Sequence, residues 1–178
     1  MLRNTRHYYG LVAKFFHWSS AILIFILFLS GVWMMRLDYE HYWYDYATYY
    51  HENIGILFAL SIILRLLWRY FTLTPELSVT LSSLEKHLAH LAHGLLYTLC
   101  ITTIISGYFI LAADHRDISL FSWFSMPPLP KFHSLQADLS GKAHKVLAWG
   151  LIILAIIHTV AACKHHFIDK DNTLRKIL

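Results

Sequence analysis

The sequence predicts an all-α integral membrane protein, a four-helix bundle with its N- and C-termini on the cytoplasmic side. Of its 178 residues, 57% are hydrophobic and only 15% are charged, whereas soluble domains contain about 25% charged residues. The charged residues are unevenly placed and leave long uncharged stretches, which reach the length of about 20 residues that a helix needs to cross a bilayer. This composition excludes an ordinary soluble domain and a disordered chain.

The uncharged stretches predict where the helices cross the membrane. The predicted spans are residues 14–35, 47–68, 88–112 and 145–164. The second span contains Arg65, which must reach the surface or find a partner inside the bundle. Pro75, the three prolines between 127 and 130, and the polar run 38–45 predict the loops. The whole chain, residues 1–178, is therefore predicted to form one transmembrane domain.

The distribution of basic residues predicts the orientation, because Lys and Arg favour the cytoplasmic side of a membrane. Ten of the fifteen lie in the N-terminal tail, around the second loop and in the C-terminal tail, whereas Arg36, Arg116 and three lysines lie on the other side. The excess positive charge thus indicates topology and contact with lipid headgroups, not nucleic-acid binding. The first span is too long for a signal peptide and is predicted to be retained as an anchor.

Thirteen histidines are present, and polar side chains inside membrane spans are costly and usually functional. His17 lies near the cytoplasmic end of the first span, and His51 lies near the outer end of the second. His144 begins the fourth span at the outer side, and His158 follows 14 residues later on the same helical face, about 21 Å along the axis. Depth in the membrane therefore pairs His17 with His158 and His51 with His144.

Two such pairs predict two stacked bis-histidine sites for non-covalent haem b, because imidazoles from facing helices are common axial ligands in helical bundles. A covalent c-type haem is not predicted, since the sequence has no Cys-x-x-Cys-His motif. His90 and His93, in the third span, compete with His158 as the inner ligand. His158 is favoured because it shares a face with His144.

The spacing of 14 residues recurs on other spans. Gly31 follows His17 by this spacing, which predicts that the helix backbone approaches the outer macrocycle closely. Arg65 follows His51 by the same spacing and is predicted to pair with a haem propionate at the depth of the inner site. Gly55, one turn below His51, is predicted to leave room for the ring.

Two further histidines lie at the inner end of the fourth span. His165 and His166 follow Lys164 directly, so they are predicted either to lie among the lipid headgroups or to line a quinone pocket. The sequence contains no convincing Ser, Cys or Asp triad, and no catalytic residue is assigned.

Together these residues resemble the bacterial cytochrome b561 family. The resemblance rests on His17-Trp18, His51 with Gly55, His144, His158 and the C-terminal run 164–174. It implies a multi-pass protein of the bacterial inner membrane, related to the cytochrome b subunits of nickel–iron hydrogenases and formate dehydrogenases. It also implies that His17, His51, His144 and His158 bind two haems, which carry electrons between the periplasmic side and the quinone pool. Some members oxidise superoxide and reduce ubiquinone.

Three functions are compatible with the sequence. The leading one is transmembrane electron transfer to ubiquinone from a periplasmic donor, either superoxide or a redox protein. The alternative is a haem-binding anchor subunit that accepts electrons from a dedicated periplasmic partner. A histidine-based metal transporter is disfavoured, because Glu52 alone among the carboxylates lies near a span histidine.

The predicted outer side gives mixed support for superoxide as the donor. Superoxide is an anion, and acidic residues outnumber basic ones on that side, although Arg36, Lys142 and Lys145 form a basic patch. The acidic and aromatic run 38–45 is typical of an interfacial belt and is also compatible with docking of a periplasmic protein.

Overall fold

The computed structural model describes residues 1–78, 80–113, 117–121 and 123–178, so Arg116 lies outside the described residues. Its main elements are four long helices, α1 (Leu11–Met34), α2 (Trp43–Phe71), α3 (Ser83–Ala113) and α4 (Gln136–Phe167). Each is long and apolar enough to cross a membrane. The predicted four-helix membrane fold is thereby confirmed. Each predicted span lies inside one of these helices, apart from residue 35, which follows the end of α1.

The helices extend beyond the uncharged stretches, because charged residues are tolerated on the turns outside the hydrocarbon layer. α2 begins at Trp43, so the prediction of a loop over residues 38–45 was wrong for its last three residues. Asp45 lies in the first turn of this helix, where the helix dipole stabilises a carboxylate. This gain favours helix where the polar composition alone suggested a loop.

A short hairpin lies between α3 and α4 and was not predicted. Its strands, β1 (Ile118–Leu120) and β2 (Phe124–Met126), pair antiparallel. Asn53 of α2, only 2% exposed, accepts a hydrogen bond from the backbone N–H of Phe121 and donates one to the carbonyl of Tyr49 over 2.7 Å. Phe121 has a left-handed φ of 44°. The hairpin is therefore fixed to the same end of α2 that carries His51.

The bundle is built from two helical pairs, α1 with α2 and α3 with α4. A small core at mid-bundle consists of Phe58, Ile62, Cys100 and Leu151. Most other large apolar side chains of the helices are exposed, as expected for surfaces that face lipid rather than water.

The N-terminal tail, the α2–α3 loop and the C-terminal tail meet at one end of the bundle. The backbone N–H of Tyr9 donates to the carbonyl of Lys176, and the Lys176 ammonium donates to the carbonyl of Glu76 over 2.7 Å. The indole of Trp18 donates to the carbonyl of Ile177. Both termini thus lie at the end that the charge distribution predicts to be cytoplasmic, which we call the inner end.

Candidate functional site

The structure brings His51 of α2 and His144 of α4 together at the outer end. Their ring centres are 6.3 Å apart, and their planes are inclined by 78°. Bonds between a metal and an imidazole nitrogen are about 2 Å long, so two imidazoles on opposite sides of one metal have ring centres roughly 6 Å apart. The spacing of this pair fits a single iron between the rings.

The hydrogen bonds of His51 fix which ring nitrogen carries its proton. The hydroxyl of Ser30, on α1, donates its one hydrogen to the carbonyl of Leu27 over 3.0 Å. Ser30 Oγ also lies 2.9 Å from Nδ1 of His51. With the hydroxyl hydrogen directed at the Leu27 carbonyl, Ser30 Oγ accepts and Nδ1 of His51 is the donor in this second bond. The Nε2 lone pair is therefore free for a metal.

His144 is held in the same way by α3. Its Nδ1 lies 3.0 Å from the carbonyl of Thr103 and 3.1 Å from the hydroxyl of Ser106. A carbonyl can only accept, so Nδ1 carries the proton and Nε2 of His144 is free. The Ser106 hydroxyl donates to the same Thr103 carbonyl. Both outer imidazoles thus have the tautomer that binds iron through Nε2.

A glycine follows each of these serines and makes room for the imidazole. A Cβ at Gly31 would lie 3.3 Å from Cε1 of His51, and one at Gly107 would lie 3.1 Å from Cε1 of His144. Gly31 therefore faces a histidine ring rather than the space predicted for a macrocycle edge. Gly55 has no atom within 4 Å of the position of a Cβ, which agrees with the room predicted beside it.

At the inner end, the structure brings His93 of α3 and His158 of α4 into contact. Their ring centres are 5.2 Å apart. Nδ1 of His93 donates to the carbonyl of Ala89 over 2.7 Å, which leaves its Nε2 free. His158 has no hydrogen-bond partner among the described residues. His90 instead bonds the carbonyl of Lys86 on its own exposed turn and lies apart from the cluster.

His17 of α1 lies near this inner pair and is hydrogen-bonded to Arg65. The Arg65 guanidinium lies 3.0 Å from Nδ1 of His17, and His17 interacts electrostatically with His158 and His93. Within the described residues, no ring contact joins His17 to His158. Their pairing as ligands stays a prediction, with His93 as the neighbour of His158.

Two arginines make the inner end cationic. The guanidinium carbons of Arg65 and Arg69 lie 5.3 and 5.8 Å from the ring centre of Tyr97. Neither arginine pairs with a carboxylate within the described part of the chain. Burial raises the pKa of the Tyr9 phenol above its ordinary value, and the nearby Arg69 opposes that shift. This cluster suits an anionic group such as a carboxylate.

His165 and His166 lie outside the inner histidine cluster. His165 pairs with Asp169 over 2.7 Å, and Lys164 joins Asp169 and Glu85. Nδ1 of His166 is buried without a hydrogen-bond partner among the described residues. Neither histidine contacts His17, His93 or His158 in this part of the structure.

Sequence reasoning missed several of these residues, although a signal was present. The dipeptide Ser-Gly occurs three times, at 30–31, 106–107 and 140–141. At the first two positions the glycine follows a histidine by 14 residues, Gly31 after His17 and Gly107 after His93. α1 and α3 therefore contribute equivalent sets. Tyr9, Arg69 and Tyr97 have no comparable sequence signal, because their proximity arises only from packing.

Comparison with known proteins identifies the family. Residues 8–178 match the family described as prokaryotic cytochrome b561. The chain is 40% identical to "Cytochrome b561 homolog 2" of Escherichia coli (strain K12), over 98% of this chain and 93% of that protein. It is 26% identical to "Probable superoxide oxidase CybB" of Yersinia pestis, over 91% and 90% of the two chains. The protein therefore belongs to the prokaryotic cytochrome b561 family, multi-pass membrane proteins that bind b-type haem and transfer electrons across the membrane.

Proposed function

We propose that this protein carries electrons across the bacterial inner membrane through two b-type haems, from a donor at the outer end to ubiquinone at the inner end. His51 and His144 are the proposed outer ligands, and His17 and His158 are the proposed inner ligands. One observation carries the proposal: the outer imidazoles face each other 6.3 Å apart, each with a free Nε2. When bound, haem supplies one-electron chemistry, and the chain supplies ligation, orientation and charge.

The inner residues support the second site in a different way. A neutral imidazole binds iron through Nε2 when its proton is on Nδ1, so ligation by His17 requires Arg65 to release that nitrogen. A propionate offers the Arg65 guanidinium a stronger, charge-assisted partner. Arg69, four residues further along α2, extends the same cationic surface. We therefore assign Arg65, together with Arg69, to the inner propionates.

The first experiment is a reduced-minus-oxidised visible spectrum of the purified protein together with a haem-to-protein ratio. We expect two low-spin b-type haems per chain. A ratio of one would show that one pair has been misassigned. A protein without haem would contradict the proposal as a whole.

Superoxide is the proposed donor, and Lys145 is the proposed residue that attracts it. Lys145 follows His144 directly, is exposed, and pairs with no carboxylate among the described residues. The neighbouring Lys142 is already bound to Asp138 over 2.8 Å. A cation next to the outer site raises the encounter rate with an anion, and salt screens this effect. The distant relative named a probable superoxide oxidase supports the same donor.

Proteoliposomes that contain ubiquinone provide the test of this donor. Lys145→Gln is expected to lower the rate constant for superoxide consumption at low salt and to lose this difference at high salt. Lys131→Gln, at an exposed lysine in the loop that precedes α4, is the matched control. Equal rates for both variants at low salt would show that Lys145 does not attract superoxide. If superoxide does not reduce ubiquinone in these proteoliposomes, superoxide is excluded as the donor.

A second candidate function, acceptance of electrons from a periplasmic protein, is favoured by the outer hairpin. Trp123 and Phe124 are 89% and 62% exposed beside the outer site, and exposed aromatic side chains are common at protein interfaces. The purified dihaem protein would then be inactive with superoxide and would be reduced only when a periplasmic fraction is added. Activity with superoxide in proteoliposomes alone would contradict this alternative.

A further inference from the structure

The two outer histidines are oriented by the same device on two different helices. On α1, Ser30 receives the Nδ1 proton of His51 and Gly31 lies against its ring. On α3, Ser106 and Gly107 make the equivalent contacts with His144. The serine hydrogen-bonds the imidazole, and the missing side chain of the glycine allows the ring to pack against the helix.

We propose that Ser30 and Ser106 are positioning residues that set the ring orientation and lower the reduction potential of the outer haem. This inference rests on the proposed function, since it requires a haem between His51 and His144. A metal-binding histidine carries its N–H on the ring nitrogen that does not bind the metal. When this N–H donates to an acceptor, the tautomer is fixed and the imidazole becomes a more basic ligand. A more basic ligand stabilises ferric iron relative to ferrous iron and so lowers the potential.

The inner histidines lack this arrangement, which makes the inference specific to one site. His17 accepts a hydrogen bond from Arg65 instead of donating one, His93 bonds a carbonyl of its own helix, and His158 has no partner among the described residues. Loss of a serine hydroxyl at the outer end is therefore expected to change one haem only.

The two serines are not equivalent, and this gives the inference a quantitative order. Ser30 is the acceptor that the structure gives to Nδ1 of His51. His144 would retain the Thr103 carbonyl, 3.0 Å away, after loss of the Ser106 hydroxyl. Removal of Ser30 should therefore have the larger effect.

The test compares Ser30→Ala and Ser106→Ala in the full-length dihaem protein by spectroelectrochemical titration. The outer haem is identified as the one that is lost in His51→Ala. We expect Ser30→Ala to raise its potential by an amount equivalent to about a tenfold change in the redox equilibrium, ~59 mV for one electron. Ser106→Ala should give a smaller shift in the same direction, and the inner haem should not change in either variant.

Two further variants separate positioning from a general effect on folding. Ser20→Ala is the matched control, because Ser20 is a buried serine of the same helix that bonds the carbonyl of Phe16 and the hydroxyl of Ser61. Ser30→Thr retains a hydroxyl, so the outer haem of this variant should keep the wild-type reduction potential. If Ser30→Ala does not accumulate, the shift in Ser106→Ala and its absence in Ser20→Ala decide the question.

EPR of the ferric protein gives an independent readout, because the angle between the two axial imidazole planes determines the anisotropy of a low-spin signal. The planes of His51 and His144 are inclined by 78°, and Ser30→Ala should alter the outer signal. Two haems with unchanged potentials and signals in both serine variants would overturn this inference and leave the proposed function intact. Absence of haem from the wild-type protein would overturn both.

Discussion

Arg65 hydrogen-bonds His17: a guanidinium nitrogen lies 3.0 Å from Nδ1 of the imidazole. An arginine can only donate, so His17 accepts at Nδ1 and carries its proton on Nε2. The histidine that the sequence predicts as an inner ligand is thus held in the opposite tautomer from the outer pair. In the proposed inner site, ligation of iron by Nε2 of His17 therefore requires Arg65 to release Nδ1.

Replacement of Arg65 by leucine should lower the reduction potential of the inner haem by tens of millivolts. For one electron this corresponds to roughly a severalfold change in the redox equilibrium constant. Removal of a nearby positive charge stabilises the ferric state, which carries one more positive charge than the ferrous state. Spectroelectrochemical titration of both haems measures the shift, and Arg69→Leu, one turn further along α2, should have a smaller effect. Equal shifts of both haems would contradict a role for Arg65 at the inner propionates.

Single alanine substitutions of the inner histidines should identify the ligands. We expect His17→Ala and His158→Ala each to remove one haem, because a bis-histidine site loses an axial ligand. His93→Ala should retain two haems and change only the spectrum of the inner one, since His93 packs against His158. His90→Ala is the control on the same helix. Loss of a haem in His93→Ala, and not in His158→Ala, would make His93 the ligand.

A methyl group at Gly107 should disturb the outer site. The added Cβ would lie 3.1 Å from Cε1 and 3.4 Å from Nδ1 of His144, so the ring must shift by a few tenths of an ångström away from α3. We expect outer haem affinity to fall by about tenfold or more, measured as haem content during dilution. Gly94→Ala, on the same helix with open space around its Cβ, should retain both haems. Equal haem loss in the two variants would point to helix stability instead.

Loss of the Asn53 amide should release the outer hairpin. Asn53→Ala leaves the buried N–H of Phe121 without its acceptor, at a cost of about 1–3 kcal/mol. A lower melting temperature and faster proteolysis between residues 118 and 126 are the expected results. Thr102→Ala, which removes a hydroxyl that bonds carbonyls of its own helix, should change neither. Unaltered proteolysis in Asn53→Ala would show that other contacts hold the hairpin.

The C-terminal tail should loosen at acid pH. The hydrogen bond from Lys164, 2.7 Å long, lowers the pKa of Asp169 below its ordinary value. A lowered pKa means that the interaction is fully present above the unfolded value near 4 and is lost as the pH falls through the lower folded value. Protection of the amides of residues 168–178, measured as their exchange rate relative to that of an unstructured chain at the same pH, should therefore fall at acid pH.

Asp169→Asn should reproduce this loss of protection at neutral pH, where the wild-type carboxylate is ionised. Asp138→Asn, which removes an exposed ion pair at the other end of α4, is the control and should leave exchange in the tail unchanged. Identical exchange in Asp169→Asn and the wild type would show that backbone contacts alone hold the tail.

Composition and spacing predicted the fold and the principal candidate ligands. Long uncharged stretches can satisfy their backbone groups in lipid only as helices, so the four spans followed from composition. The pairing of His51 with His144 was predicted from depth, because position along a membrane helix converts directly into distance across the bilayer. Gly31 and Arg65 were recognised by their spacing, although the atom that each one contacts was not.

The groups that lie beside each histidine depend on how the helices pack. Rotation of a helix about its axis and its tilt against a neighbour depend on packing of the whole bundle. This is why Ser30 and Ser106, the arginine on His17 and the contact between His93 and His158 could not be derived from spacing. The hairpin formed by β1 and β2 is hydrogen-bonded to a buried amide from a distant part of the chain, a contact that no local sequence pattern encodes. Local composition therefore determines the depth of each group, and packing determines its partner.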